Sequence, residues 1–153
     1  MRLLIQRVSE ASVKIDTQIN GEISQGLLLL VGIGDDDTQE DIDWLIQKVV
    51  GLRIFSDEHG KMNLSSSDVN AEFLVISQFT LHASTKKGNR PSYIKAARPE
   101  QAIPLYESFI QQLTLVQKQK VASGIFGADM KISLIKDGPV TIWIDTKNKH
   151  EWN

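Results

Sequence analysis

The chain has no cysteine in its 153 residues. Disulfides, thiolate nucleophiles and thiolate metal sites are excluded together. Histidine is scarce. Only His59, His82 and His150 occur, and no two share a metal-ligand spacing such as H-E-x-x-H, so neither a metal nor a cofactor is expected. No apolar run approaches the ~18 residues of a membrane span. The longest, residues 26–33 (Gly-Leu-Leu-Leu-Leu-Val-Gly-Ile), has the length of a buried strand. The opening Met1-Arg2-Leu3-Leu4-Ile5-Gln6-Arg7 turns polar too early for a secretory signal, which points to the cytosol and away from the membrane. The G-x-S-x-G elbow and the Walker A loop are also missing. Gly32-Ile33-Gly34 leads into three aspartates, which repel a phosphate. No Ser-His-Asp set stands out, so conventional side-chain catalysis looks thin.

What is present is ordinary in bulk and uneven in detail. Hydrophobic residues make up 41% and charged residues 24%, with a formal net charge of -2, as in one globular domain covering residues 1–153. Asp35, Asp36, Asp37, Glu40, Asp41 and Asp43 form an acidic cluster, whereas residues 81–98 contain no acid and carry Lys86, Lys87, Arg90, Lys95 and Arg98. Such a stretch is either a solvated loop or a limited contact with phosphates. It does not suit wrapping of DNA.

The periodicity predicts strands at residues 3–8, 12–15, 18–23 and 27–33, with a turn near Asp16-Thr17. A helix follows. Thr38-Gln39-Glu40-Asp41 reads as a capping box, and Ile42, Leu45, Ile46 and Val49 give one apolar face up to Gly51. Short strands are expected at 53–56 and 72–79. A second helix starts after Pro99 or near Pro104, with Leu105, Tyr106, Phe109, Ile110 and Leu113 on its buried side. Closing strands are expected at 121–126, 130–136 and 140–145, the last two separated by Asp137-Gly138-Pro139, which locally reads as a hairpin turn. The class is α/β: a single domain with a mostly antiparallel, barrel-like β-sheet and two main helices.

Two segments carry more than fold information. One is Ser77-Gln78-Phe79-Thr80-Leu81, followed by Lys87-Gly88-Asn89-Arg90-Pro91-Ser92-Tyr93. The other is Asp137-Gly138-Pro139-Val140-Thr141, preceded by Gly124-Ile125-Phe126-Gly127-Ala128-Asp129-Met130. With Gln6-Arg7-Val8 and Met62-Asn63-Leu64-Ser65, the chain closely resembles, end to end, the D-aminoacyl-tRNA deacylases. Ser84, Lys136 and Tyr93 depart from residues common among relatives (an acid, an asparagine and a phenylalanine) and leave both central motifs intact.

The resemblance implies hydrolysis of the ester between a D-amino acid and the terminal adenosine of tRNA, as chiral proofreading in translation. That ester is already activated, so positioning and oxyanion stabilisation can suffice. Ser77, Gln78, Phe79 and Thr80 would line the catalytic pocket, with backbone N–H groups near Phe79 and Thr80 as oxyanion donors and the substrate 2′-hydroxyl assisting. Phe126 and Met130 match positions that pack on the adenine. The resemblance further implies that Gly138-Pro139 has a cis bond and enters the active site of the partner subunit, where its carbonyls hold the substrate amino group and exclude an L side chain. Arg7 would fix that segment's orientation. A homodimer follows, as does cleavage of glycyl-tRNA mischarged on tRNA(Ala), since glycine has no side chain to exclude. Lys86, Lys87 and Arg90 would contact the acceptor end of tRNA.

Some alternatives stay open on sequence alone. The Thr80 hydroxyl could be a nucleophile, although no adjacent base is apparent; otherwise its backbone matters more. His82 reads as a surface residue or phosphate contact rather than a general base. Rival functions are an inactive RNA-binding module and a hydrolase of small esters or D-peptides.

Overall fold

The computed structural model describes residues 1–149; His150 and Trp152 lie outside the described residues. Its organising element is β1 (Arg2–Ile15), one strand where two were expected. The first half of β1 pairs antiparallel with β3 (Gly26–Gly32), and the second half with β2 (Gln18–Ile23). Its opposite edge pairs along nearly its whole length with β8 (Lys131–Asp145). β3 continues in parallel to β6 (Glu72–Ser77), and β6 in parallel to β7 (Val121–Ser123). The two ends of this path approach each other: the Asn20 side-chain amide donates to the Ser123 carbonyl at 2.9 Å. The result is a nearly closed, barrel-like sheet, with a separate two-stranded piece formed by β4 (Phe55–Ser56) and β5 (Met62–Leu64).

The sheet is mostly antiparallel, as expected, and includes two parallel pairs, β3 with β6 and β6 with β7. Each of the two helices lies on a crossover that returns the chain to the starting end of the sheet, and such a connection produces a parallel pair. α1 (Gln39–Gly51) lies between β3 and β6, and α2 (Pro99–Val116) between β6 and β7.

The long apolar runs of β3 and β6 follow from burial on both faces. Leu27, Leu29, Val31, Phe73 and Val75 pack with Ile42, Leu45 and Val49 of α1 and with Tyr106, Phe109 and Leu113 of α2. The alternate residues Leu28, Leu74 and Ile76 join Val8, Ala11 and Val13 of β1 in a second cluster. The start of α1 is fixed as its sequence suggests, with the Asp41 carboxylate accepting from the Thr38 N–H at 2.9 Å. Asp41 is also joined by Lys147 at 3.2 Å. Burial opposes the Asp41 anion, but hydrogen bonds from Thr146, Thr38 and Lys147 outweigh it and bring its pKa down to about 2. α2 begins at Pro99 and carries Pro104 inside it; Pro104 is exposed, so the carbonyl it leaves unbonded can meet water. Among the described residues, no helix is long and apolar enough to cross a membrane.

One expectation fails instructively. Asp137-Gly138-Pro139 does not reverse the chain, because both arms of β8 pair with the same strand in the same sense. Gln6 faces Thr141 and Val8 faces Lys136, so Arg7 stands alone opposite residues 137–140, which leave the ladder as a wide bulge. The buried Arg7 guanidinium fills the gap. It donates to the Ile54 carbonyl at 2.5 Å and the Asp137 carbonyl at 3.1 Å, and lies 3.2 Å from the Asp137 carboxylate. The Gly138–Pro139 bond is cis.

Candidate active site

Parallel strands leave a crevice beyond their carboxyl ends, where the connecting loops diverge. Here that crevice lies past β3, β6 and β7. The β6 ladder stops after Ser77, where the Gln78 N–H donates to the Val31 carbonyl at 2.7 Å. The chain then turns into a short 3-10 helix, Phe79–His82. Gly32 permits this turn to fold back over β3: a Cβ there would stand 2.9 Å from Leu81 Cβ and 3.0 Å from the Gln78 carbonyl oxygen. Arg2 holds the far side of the turn, donating to the Leu81 carbonyl at 2.9 Å while bonding Asp145 at 2.9 Å.

The opposite wall is the turn after β7. Gly124 is buried and Gly127 has φ +78°, a conformation that favours glycine. Together they bring Phe126 and Met130 over the crevice, with the Met130 side chain occupying the space a Gly124 Cβ would need. Phe126 packs against Tyr106, ring centroids 6.0 Å apart. The Tyr106 hydroxyl donates to the Val75 carbonyl at 2.9 Å, tying α2 to β6 beneath the site. Burial pushes this phenol well above its ordinary pKa, so it stays a neutral donor.

Between these walls is a cavity of about 290 Å³ lined by Ser77, Gln78, Phe79, Phe126, Met130 and small residues that include Ala97 and Ala102. None of its lining side chains is ionisable. Gln78 Nε2 donates to Thr80 Oγ1. Among the described residues that amide is the hydroxyl's hydrogen-bond partner, and an amide donor cannot serve as a base. The Phe79 and Thr80 N–H groups have no protein acceptor among the described residues. The crevice therefore offers backbone donors, neutral polar side chains and an apolar wall.

Five of the sequence-predicted residues meet here: Ser77, Gln78, Phe79, Phe126 and Met130. Thr80 adjoins them through Gln78. Arg7, Gly138 and Pro139 do not line the cavity of their own chain, and Gly138 and Pro139 are exposed. Lys86, Lys87 and Arg90 lie on an exposed loop closed by Ser84 and Ser92, whose backbones exchange hydrogen bonds of 2.8 and 2.9 Å. His82 departs from its expected surface place. It is 8% exposed, with its ring against Gly32 and Gly34, and burial lowers its pKa. Sequence reasoning missed Ala97 and Ala102, whose small side chains leave room without any motif. It gave Tyr106 only a packing role, although a phenol within an apolar helical stripe signals a buried hydrogen bond.

A larger cavity, about 510 Å³, lies elsewhere, over Glu10, Glu22, Glu72 and Lys120. Three carboxylates around one groove repel a polyanion, which makes the smaller crevice the better candidate for a nucleic-acid substrate.

A barrel-like sheet whose crevice is lined by no ionisable side chain suits proteins that position an already reactive group and bring little side-chain acid–base chemistry of their own. The chain belongs to the D-Tyr-tRNA(Tyr) deacylase family, whose model matches residues 4–145. It is 64% identical over 149 residues to a D-aminoacyl-tRNA deacylase of Flavobacterium psychrophilum, covering 97% of this chain and 99% of the relative. A D-aminoacyl-tRNA deacylase of Bacteroides thetaiotaomicron is 60% identical with the same coverage. Among solved structures, the c-Myc DNA unwinding element binding protein superposes with a TM-score of 0.91 at 38% identity, covering 95% of this chain and 99% of that one. One described as a probable eukaryotic D-amino acid tRNA deacylase shares the fold at a TM-score of 0.82 and 14% identity, with 94% and 97% covered.

Proposed function

We propose that the protein hydrolyses the ester linking a D-amino acid to the terminal adenosine of tRNA, in the cytosol, as a homodimer that excludes L-aminoacyl esters. The observation that carries this reading is the crevice past β6, where Phe79 lies across from an apolar wall formed by Phe126 and Met130 and where the Phe79 and Thr80 N–H groups have no acceptor among the described residues. Water attacks the ester carbonyl, and the developing oxyanion is held by the Phe79 and Thr80 N–H groups. The C–O bond to the ribose then breaks, the leaving oxygen takes a proton, and free D-amino acid and tRNA depart. The substrate 2′-hydroxyl assists as a hydrogen-bonding group beside the reacting carbonyl. Ser77 and Gln78 orient the aminoacyl group, and Phe126 and Met130 pack on the adenine. Thr80 acts through its backbone.

Gly138 and Pro139 are exposed on the bulge of β8, outside their own chain's crevice. Supplied to the crevice by the partner subunit, their carbonyls hold the substrate amino group and leave no space for an L side chain. Selectivity by exclusion spares the abundant correct substrate. Glycine passes the same filter, so glycyl-tRNA mischarged on tRNA(Ala) is cleaved. Lys86, Lys87 and Arg90 contact the acceptor end.

The test is hydrolysis of D-tyrosyl-, L-tyrosyl- and glycyl-tRNA by the purified protein in the presence of a chelator. Loss of the D and glycyl esters with the L ester spared is expected. Equal loss of the L ester would remove the exclusion mechanism, and survival of all three with tRNA still bound would make this an RNA-binding module. Indifference to uncharged tRNA as competitor would point to a hydrolase of small esters.

A further inference from the structure

The crevice does not end at Phe79. Phe79 is 55% exposed and meets Tyr93 edge-on, with ring centroids 5.0 Å apart and planes at 72°. Beside them Ile94 is 86% exposed. An apolar step therefore leads out of the crevice into a second cavity of about 240 Å³, whose lining includes His82, Ser84, Ser92, Ile94 and Lys95 together with Lys86 and Lys87 of the loop. No acid lines this cavity, and Lys86, Lys87 and Lys95 form no ion pair among the described residues.

Its floor is held in place. Ser84 and Ser92 are bridged, the Lys95 carbonyl accepts from the Asp35 N–H at 3.2 Å, and the Ala97 N–H donates to the Ile33 carbonyl at 2.9 Å. The segment from Ser92 to Ala97 thus runs continuously from the second cavity into the first, since Ala97 lines the crevice. Exposed aromatic and apolar surface followed by a cavity of hydroxyls and cations matches the alternation of base and phosphate in an unpaired strand.

We propose that the single-stranded 3′ end of tRNA leaves the crevice over Phe79, Tyr93 and Ile94, with an unpaired base stacked on Tyr93 and a backbone phosphate in the cavity formed by Ser84, Ser92 and Lys95. The track rests on the reading that the crevice takes the aminoacyl-adenosine. It adds that recognition continues along the strand past Phe79, through Tyr93, Ile94 and Lys95, beyond the loop-tip cations. His82, whose Nε2 has no hydrogen-bond partner among the described residues, borders this cavity.

The experiment compares two substrates of the intact enzyme: D-tyrosyl-tRNA and D-tyrosyl-adenosine, the latter ending where the track begins. Tyr93→Ala and Lys95→Ala are each expected to raise KM for D-tyrosyl-tRNA roughly tenfold, the loss typical of one stacked base or one phosphate contact. kcat should stay within about twofold, with hydrolysis of D-tyrosyl-adenosine unchanged. Tyr93→Phe should behave as wild type, because stacking needs the ring and not the hydroxyl. For Lys95→Ala, the dependence of log KM on log salt should also flatten by about 0.7 with the tRNA substrate. An unchanged KM for tRNA would overturn the track. So would equal losses on both substrates, which would mean that Tyr93 only shapes the crevice through Phe79. Failure of the wild-type enzyme on both esters would instead bring down the reading of the crevice itself.

Discussion

The crevice past β6 and the groove over Glu10 differ in nearly every property by which an active site is usually sought. The groove is the roomier, at about 510 against 290 Å³, and carries three carboxylates and a lysine. The crevice carries no ionisable side chain. Its polar resources are the neutral side chains of Ser77 and Gln78 and the tight turn that follows them, with Thr80 adjoining through Gln78. An aminoacyl ester has a carbonyl made electrophilic by the neighbouring α-amino group, so a pocket that positions it need not generate a strong nucleophile. A polyanionic substrate penalises carboxylates near its path. Titratable groups and volume thus favour the groove, whereas for the proposed chemistry the unpartnered backbone donors favour the crevice.

The most direct way to break that comparison is to remove a donor without touching a side chain. Replacing the Thr80 amide with an ester by semisynthesis deletes its N–H. We expect kcat to fall about 10²–10³-fold, the loss found when one oxyanion donor is removed. Thr80→Val, which removes the hydroxyl instead, should fall well short of the ~10²-fold or greater loss expected for a proton-transfer group. The opposite ranking would make Thr80 a nucleophile and require a base that the crevice does not hold.

Arg7 sharpens the comparison from the β8 bulge. It is 6% exposed, and its guanidinium meets the Ile54 and Asp137 carbonyls. Arg7→Met strands the buried Ile54 carbonyl and frees residues 137–140, so a stability loss of about 2–3 kcal/mol is expected in urea unfolding. Under native conditions the ratio of D- to L-tyrosyl-tRNA hydrolysis should also fall, since Gly138 and Pro139 lose their support. An unchanged ratio would separate Arg7 from the filter.

Much of this was legible in the sequence where the signal is local. The α1 helix was readable from Thr38 and Asp41 at its start and from Ile42, Leu45, Ile46 and Val49, all buried as the period demands. The β3 run was readable because a strand buried on both faces tolerates no polar alternation. The path of Asp137-Gly138-Pro139 was not, since the same three residues suit a hairpin or a bulge. Only pairing of both arms of β8 with distant β1 decides between them. His82 went inside because Gly32 and Gly34, far away in the chain, leave space for its ring. The crevice was half legible: its motif wall stood out, whereas Ala97 and Ala102 contribute by being small.

A smaller effect is expected at the start of α1. Asp41 has its pKa lowered from 3.8 to about 2, so its anion stabilises the folded state. That contribution is complete above the unfolded value near 3.8 and disappears as pH falls through about 2. Asp41→Asn should cost about 1 kcal/mol at pH 7, the usual net worth of a side-chain hydrogen bond, here the one from the Thr38 N–H. Urea midpoints of the two proteins should converge between pH 4 and pH 2. A constant gap would mean that the loss is one of packing rather than charge.

The smallest expected effect bears most directly on which cavity does the work. Glu10→Gln and Glu22→Gln together neutralise two of the three carboxylates of the groove with little change in size. Both residues are exposed, and neither lines the crevice. Hydrolysis of D-tyrosyl-tRNA should therefore stay within about twofold, because exposed charges that do not touch the crevice are largely screened at physiological salt. At low salt, KM should fall slightly as long-range repulsion of the tRNA is relieved. A loss of activity would reverse the comparison. It would give the carboxylates a part in the reaction, and the amides of the Phe79–His82 turn would be only the structural end of a strand.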